Sequence, residues 1–137
     1  MARQFARWFG IIYILVGIVG FIPGINVMNN MPDMGVTAVT SYGYLLGLFP
    51  VNAVHNVVHL AIGIWGVTSA GSFATARTYA RSIAVLYGIL AIAGFFPGFN
   101  TLFGLVPLFG YDVWLHALSA IVAAYVGWGV RAEAAAA

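Results

Sequence analysis

The three histidines of the chain occur in two short segments that are otherwise largely apolar. The first segment carries four polar side chains at helical spacing, namely Asn52, His55, Asn56 and His59. The second segment carries Asp112 and, four residues later, His116. On an α-helix such spacings place each set on one face. Imidazole and carboxylate groups are ligands of transition-metal ions, and imidazole also ligates haem iron. These six residues are therefore our candidate cofactor-binding residues.

Several roles for these residues remain open at the level of sequence. His59 and His116 can hold a haem iron or a metal ion between them if their helices face each other. A symmetric histidine pair can also form a hydrogen-bonded or proton-handling network that needs no cofactor. His55 and Asp112 form a second layer, in which the carboxylate would stabilise a protonated imidazole if the two side chains meet. The cofactor is unknown, with haem and a metal ion as the candidates.

A second group of candidate ligands is a run of methionines, Met28, Met31 and Met34, at a constant spacing of three. Thioethers are soft ligands that suit Cu(I), so the run is a candidate copper site. The alternative is an apolar lip that lies on a membrane or contacts another protein.

The composition defines the setting in which this chemistry takes place. Of 137 residues, 63% are apolar and 6% are charged, whereas a soluble domain carries about 25% charged residues. A soluble globular enzyme and a disordered chain are both excluded. The five basic residues are too few and too scattered for a nucleic-acid surface, so we expect no nucleic-acid partner. The chain has no cysteine, which excludes disulfides and thiolate ligands.

Four apolar runs are long enough, with short extensions, to cross a bilayer, which takes about 17–25 residues. They are Ala6–Ile22, Val51–Val67, Ser82–Phe96 and Leu108–Val130. The arginines precede the first run, separate the second from the third and follow the fourth: Arg3, Arg7, Arg77, Arg81 and Arg131. Four crossings put all five on one side, which is the cytoplasmic side by the positive-inside rule. Both termini are therefore predicted to be cytoplasmic.

An internal duplication relates the two halves of the chain. Residues 2–26 align with residues 76–100 at an offset of 74, with 11 identical positions of 25, and the motif Gly-Phe-x-Pro-Gly-x-Asn occurs in both. The second halves align at an offset of 57, which makes His59 equivalent to His116 and His55 equivalent to Asp112. We therefore expect His59 and His116 to face one another at equal depth, with His55 and Asp112 one turn nearer the outer surface.

These patterns predict an all-α fold, an integral membrane four-helix bundle made of two tandem parallel helix-pair repeats. The whole chain, 1–137, is a single membrane domain. Repeat one covers residues 2–70, with an outer-loop insert at 27–44, and repeat two covers residues 76–131.

The sequence contains no phosphate-binding loop, nucleophile elbow or His-Glu-x-x-His zinc motif. It therefore favours a non-enzymatic protein, an accessory or assembly subunit of a larger membrane complex. A redox protein that binds haem or a metal through His59 and His116 is the first alternative, and copper handling by the methionine run is the second. The expected partners are the lipid bilayer and a larger membrane complex or a second copy of the chain.

Four short motifs resemble those of one family: Arg-x-x-Ala-Arg at Arg3–Arg7, the repeated Gly-Phe-x-Pro-Gly turn, Asn-x-x-His at Asn52–His55, and Asp-x-x-x-His at Asp112–His116. The chain resembles, over nearly its whole length, an uncharacterised family of small four-helix bacterial membrane proteins that is known as a domain of unknown function. A more distant likeness is to DoxX/DoxD-type membrane proteins, some of which associate with quinone-linked oxidoreductases. The resemblance implies a multi-pass protein of the bacterial plasma (inner) membrane and names no substrate.

Overall fold

The structure, a computed structural model, describes residues 1–27 and 31–130. Most of these residues are helical. The helices are α1 (Ala2–Val19), α2 (Ala53–Ser69), α3 (Phe73–Ala93) and α4 (Tyr111–Ala124). A π-helical segment (Tyr125–Gly129) continues α4, and a 3₁₀ turn (Phe99–Thr101) lies between α3 and α4. Four helices were predicted, and four are present in the described part of the chain.

A small antiparallel sheet occupies the connection between α1 and α2, so the expected all-α fold is wrong in this loop. Its strands are β1 (Asn26–Val27), β2 (Gly43–Leu45) and β3 (Phe49–Val51), in the order β1-β2-β3. Asn26 pairs with Leu45, and Leu45 also pairs with Phe49 on its other side. The backbone groups of this partly buried loop need hydrogen-bond partners, and the sheet supplies them.

Helices α2 and α3 begin at residues other than the starts of the predicted apolar runs, because capping side chains determine where each helix begins. Ser72 begins α3 well before the predicted run, since its hydroxyl accepts a hydrogen bond from the backbone N–H of Thr75 at 3.2 Å. Asn52 begins α2 in the same way, and its side chain accepts from the backbone N–H of His55 at 2.9 Å. Such caps satisfy donors that a helix N-terminus leaves unpaired.

Helices α1 and α2 pack against each other, as do α3 and α4. Glycines bring the first pair into backbone contact. A methyl group on Gly63 would lie 2.7 Å from the Gly10 carbonyl oxygen and from the Ile14 backbone nitrogen, and one on Gly66 would lie 2.9 Å from the Ala6 carbonyl oxygen. Small residues at these positions are therefore required for the observed distance between the two helices.

Equivalent turns of the two halves adopt the same backbone conformation. Gly24 and Gly98, from the two copies of the Pro-Gly motif, have φ of 91° and 83°, which is a left-handed value that favours glycine. Leu46 and Phe103, which align at the offset of 57, have φ of 54° and 57°. The Pro-Gly motif thus follows the end of both α1 and α3, the first helix of each pair, with the same turn geometry.

Equivalent contacts also close the opposite ends of the two helix pairs. The Arg3 Nε donates to the Ala70 carbonyl oxygen at 3.0 Å, and the Arg77 Nε donates to the Gly127 carbonyl oxygen at 2.9 Å. Each arginine lies near the start of the first helix of its pair and reaches the end of the second. The starts of α1 and α3 therefore lie beside the ends of α2 and α4, respectively.

Large apolar side chains cover much of the outer surface of the helices. The largest buried side chains include Tyr79 and Tyr87, whereas large aliphatic side chains point outward. On α4, for example, Leu118 is 60% exposed and Ile121 is 67% exposed. Among the described residues, one helix, Ala2–Val19, is long and apolar enough by length and composition to cross a membrane.

Candidate functional site

A cluster of three side chains of metal-ligating types lies at the sheet end of the helices. His55 comes from the first turn of α2, and Asp112 and His116 come from the first two turns of α4. Each offers one ligand atom, and these atoms all lie within 4.8 Å of one another. All three residues are 3% exposed. The cluster therefore combines two imidazoles and one carboxylate in a site closed to the surroundings.

Local structure explains how the chain presents these side chains. Asn52 caps α2 and so fixes the turn from which His55 projects. Gly110, with φ of 67°, makes the sharp entry into α4. Asp112 lies in the first turn of α4, where the unpaired N–H groups of the helix favour a carboxylate.

Aromatic rings from all four helices surround the cluster. The ring of His116 lies 4.8 Å from that of Tyr87 on α3 and 6.2 Å from that of His55, centroid to centroid. The His59 ring lies 4.3 Å from the His55 ring and meets the edge of Tyr13 on α1 at 5.1 Å. Tyr87 was outside the candidate set, although its alignment with Tyr13 across the duplication was a signal that it faces the same interior.

The structure adds an approach between His55 and His116 that the duplication did not predict, with the ring centroids 6.2 Å apart. Ligand atoms of His55 and Asp112, one of the expected layers, lie within 4.8 Å of each other. The facing of His59 and His116 stays a prediction. Asp112 lies beside His116 on its own helix, with Oδ2 at 3.1 Å from Nδ1. His116 of the expected inner layer thus lies beside both His55 and Asp112 of the expected outer layer. The two layers are therefore not separate in the structure.

Several buried polar atoms of this region have no hydrogen-bond partner among the described residues. They are Nδ1 of His55, His59 and His116, Oδ2 of Asp112 and the hydroxyl of Tyr87. The 3.1 Å contact between Asp112 and His116 is close in distance, yet it is not aligned as a hydrogen bond. Leaving a buried polar group unsatisfied costs about 1–3 kcal/mol. A concentration of such atoms at one place is what a bound ion would relieve.

The two candidate asparagines have different surroundings. The Asn52 amide nitrogen donates to the carbonyl oxygens of Ala38 (2.9 Å) and Leu105 (2.8 Å), so its side chain joins the two loops at this end. The Asn56 side chain packs against Gly20, where a methyl group would collide with it. Neither the oxygen nor the nitrogen of its amide has a hydrogen-bond partner in the described part of the chain. Asn52 thus holds the two loops together, and Asn56 is a polar neighbour of the cluster.

A strap, defined as residues 37–40, lies over the same end of the helices. The backbone N–H groups of Thr37 and Ala38 donate to the Gly104 carbonyl oxygen at 2.8 and 3.1 Å, and the N–H of Ala53 donates to the Thr40 carbonyl oxygen at 2.8 Å. The strap belongs to the predicted insert and links the first half of the chain to the outer loop of the second. It contributes to the closure of the site from outside.

The methionine run lies partly outside the described residues. Met31 is half-buried and Met34 is 38% exposed, in the irregular segment before the strap, whereas Met28 is outside the described residues. The copper-binding interpretation of this run stays a prediction.

The donor set fits a small ion better than a haem. A tetrahedral ion with bonds of about 2.0–2.2 Å requires ligand atoms about 3.4 Å apart. Small side-chain rotations would bring the three atoms, now within 4.8 Å, to that spacing. A macrocycle would instead have to separate imidazole and phenol rings that pack at 4.3–6.2 Å. Two imidazoles with one carboxylate are typical of zinc and non-haem iron sites.

The fold and the site define a class: a small, mostly helical protein with apolar outer surfaces and a buried cluster of two histidines and an aspartate. Residues 3–129 match the family described as Domain of unknown function (DUF4383), and the chain belongs to that family. The predicted membership of an uncharacterised family is confirmed, whereas the DoxX/DoxD likeness stays a prediction. Comparisons with curated proteins and with solved structures give no match.

Proposed function

We propose that the chain is a multi-pass protein of the bacterial inner membrane whose four helices all span the bilayer. The outward-facing aliphatic and aromatic side chains of every helix support this placement. Helix α2, with 17 residues, is about 25 Å long at 1.5 Å per residue, and α4 gains length from its π-helical continuation. Both approach the hydrocarbon thickness of about 30 Å, which slight local thinning of the bilayer accommodates.

The arginines support an orientation with both termini in the cytoplasm. Arg3 and Arg77 contact the carbonyl oxygens of Ala70 and Gly127, so the basic residues that the structure describes lie at one end of the two helix pairs. Cationic side chains concentrate at the cytoplasmic surface. Two parallel helix pairs then account for the duplication, and the sheet and the strap lie on the outer side.

Within this membrane domain, we propose that His55, Asp112 and His116 bind a divalent transition-metal ion. The observation that carries this proposal is the approach of ligand atoms from three buried side chains to within 4.8 Å. Each of these side chains also has an atom without a hydrogen-bond partner among the described residues. Ionisable groups inside a membrane are expensive, so their concentration at one site favours function over packing. The ligand types suit Zn²⁺, Fe²⁺ or Cu²⁺.

Metal analysis of the protein in mild detergent tests this proposal. We expect about one equivalent of bound metal, and loss of tight binding in the variants His55→Ala, Asp112→Asn and His116→Ala. His59→Ala is the matched control, because it removes a neighbouring buried imidazole outside the three-residue cluster and should retain the ion. Equal binding by all four variants, or no metal in the parent protein after incubation with each ion, would contradict the proposal.

The haem alternative predicts a different pattern in the same variants. If His59 and His116 held a haem between them, the purified protein would show a Soret band, which both His59→Ala and His116→Ala would abolish. An absorption spectrum therefore separates the two cofactors before any metal titration.

The accessory-subunit role is compatible with either cofactor and remains a proposal of its own. Outside the helices, the described chain offers little more than the sheet, the strap and short turns, which favours action through a larger partner. Purification in mild detergent with intact-mass analysis should recover a stable complex.

Copper handling by Met28, Met31 and Met34 makes a separate prediction. The double variant Met31→Leu with Met34→Leu should weaken the binding of Cu(I) and leave the binding of divalent ions unchanged.

A further inference from the structure

Two arginines of α3 converge on a single backbone carbonyl at the end of α4. The Nε atoms of Arg77 and Arg81 each donate to the Gly127 carbonyl oxygen at 2.9 Å. A methyl group on Gly127 would lie 2.8 Å from the Arg81 Cγ and 3.1 Å from its backbone nitrogen. The glycine thus allows the chain ending α4 to lie directly against α3. As a result, two positive charges are held side by side on one oxygen atom.

Capping of the helix end needs only one of these arginines. In the first half of the chain, Arg3 alone donates to the Ala70 carbonyl oxygen, at 3.0 Å. Arg7, the equivalent of Arg81, is exposed and makes no side-chain hydrogen bond to the described residues. The second half therefore has an additional guanidinium at this position, which brings two positive charges together, and an anion beside both would offset their repulsion.

The geometry of the pair suits a phosphate group. A guanidinium has five N–H donors, of which the bond to Gly127 uses one. The Arg81 guanidinium also lies over the Trp128 ring at 5.5 Å, and that of Arg77 lies over the Phe73 ring at 5.8 Å. Contact with a ring occupies one face of each planar group and leaves its N–H edge for hydrogen bonds. Phosphate oxygens accept such bonds in pairs, which gives arginine its preference for this anion.

We propose that Arg77 and Arg81 bind the phosphate group of an anionic phospholipid at the cytoplasmic membrane surface. This inference rests on the proposed membrane placement and is independent of the metal site. Trp128 is 53% exposed beside the pair, and tryptophan concentrates at the headgroup level. Basic pockets between helices on the cytoplasmic side are suited to anionic headgroups.

Fluorescence quenching in vesicles tests the lipid directly. The parent is a single-tryptophan protein in which Trp8, Trp65 and Trp114 are changed to Phe, so that Trp128 is the reporter. It is reconstituted into phosphatidylcholine vesicles that contain brominated phosphatidylglycerol or brominated phosphatidylcholine. The ratio of quenching by the two brominated lipids measures preference for the anionic lipid next to Trp128, and flotation with the vesicles reports insertion separately.

The variants compare the two halves of the chain. Arg77→Gln with Arg81→Gln should lower the preference about fivefold for each arginine removed, as expected for roughly 1 kcal/mol per cation near the surface. Arg77→Lys with Arg81→Lys keeps the charge and removes the paired N–H edge, so it should lower the preference by less. Arg3→Gln with Arg7→Gln is the matched control and should leave the ratio near its starting value.

Three results would overturn the inference. An unchanged ratio in the Arg77/Arg81 variants would mean that the pair does not bind the lipid. Equal losses from both arginine pairs would mean that Trp128 senses only general surface charge. Displacement of the lipid by inorganic phosphate, but not by sodium chloride of the same ionic strength, would assign the pair to free phosphate. In each case, continued flotation would leave the proposed membrane placement intact, whereas loss of flotation in the parent protein would remove that placement itself.

Discussion

Asp112 and His116 lie one helical turn apart on α4 and 3.1 Å apart in space, and His55 joins them from α2. Their residue types and helical spacing could be recognised in the sequence. That His55 and His116 would both lie beside the carboxylate could not be recognised, because it depends on the relative positions of α2 and α4. The duplication predicted His55 with Asp112 and His59 opposite His116, and the structure brings His55 close to both Asp112 and His116.

At the scale of these residues, we expect metal affinity to depend on pH. Protons and the ion compete for the same imidazole nitrogen atoms, so binding of the ion should weaken in acid. Calorimetric titration of the metal at a series of pH values measures it.

The variant His59→Ala provides the control for this profile. It should reproduce the parent's pH dependence, since His59 is outside the three-residue cluster. A change of profile in His59→Ala as large as that in His116→Ala would contradict the assignment of the ion to the three-residue cluster.

At the scale of elements, glycine contacts set the distance between α1 and α2. Gly10 and Gly63 bring the two backbones together, and Gly20 makes room for the Asn56 side chain. By contrast, Gly88 on α3 has open space where a side chain would start. The sequence showed that small residues are frequent in the helices, but only the packing shows which of them are needed for a close approach.

This difference predicts opposite tolerance to alanine. Gly63→Ala should destabilise the protein by about 1–3 kcal/mol, because its methyl group would press on backbone atoms of α1 that cannot rotate away. Gly88→Ala is the matched control, since it adds the same methyl group inside a helix without a contact, and it should be neutral or slightly stabilising. Unfolding in detergent, followed by circular dichroism, compares the two. Similar losses in both variants would show that the α1–α2 contact is not tight.

At the scale of the whole molecule, the two ends differ in chemistry. One end has the described arginines at the helix termini, and the other has the sheet, the strap and the buried histidine–aspartate cluster. In the proposed membrane placement, this asymmetry predicts that the arginine end is cytoplasmic and that the sheet end lies on the outer side.

Cysteine labelling in cells tests this orientation, and the absence of native cysteine makes it simple. Val39→Cys in the strap should react with a membrane-impermeant maleimide added outside, because Val39 is 66% exposed. Ser72 lies between α2 and α3 and is exposed like Val39, so Ser72→Cys is the matched control. It should react only after the membrane is permeabilised. Outside labelling of Ser72→Cys would reverse the proposed topology.

The sequence by itself determined the helix number, the internal duplication, the family and the six polar candidates around the histidines. It could do so because these features depend on composition, on repeated motifs and on spacing along one helix, all of which are local. Tertiary structure decided what depends on distant segments meeting. The sheet is an example, since strands of two or three residues that include Pro50 and Gly43 have no strand signal of their own and form only by pairing.

The same reason applies to the two proposed sites. The duplication made His55 equivalent to Asp112, but the two are more than fifty residues apart in the chain, so no spacing rule shows that their side chains meet. Arg77, Arg81 and Gly127 converge because a glycine lets the end of α4 lie against α3. Helix packing decides which two charged side chains share one carbonyl oxygen and which imidazoles lie beside one carboxylate.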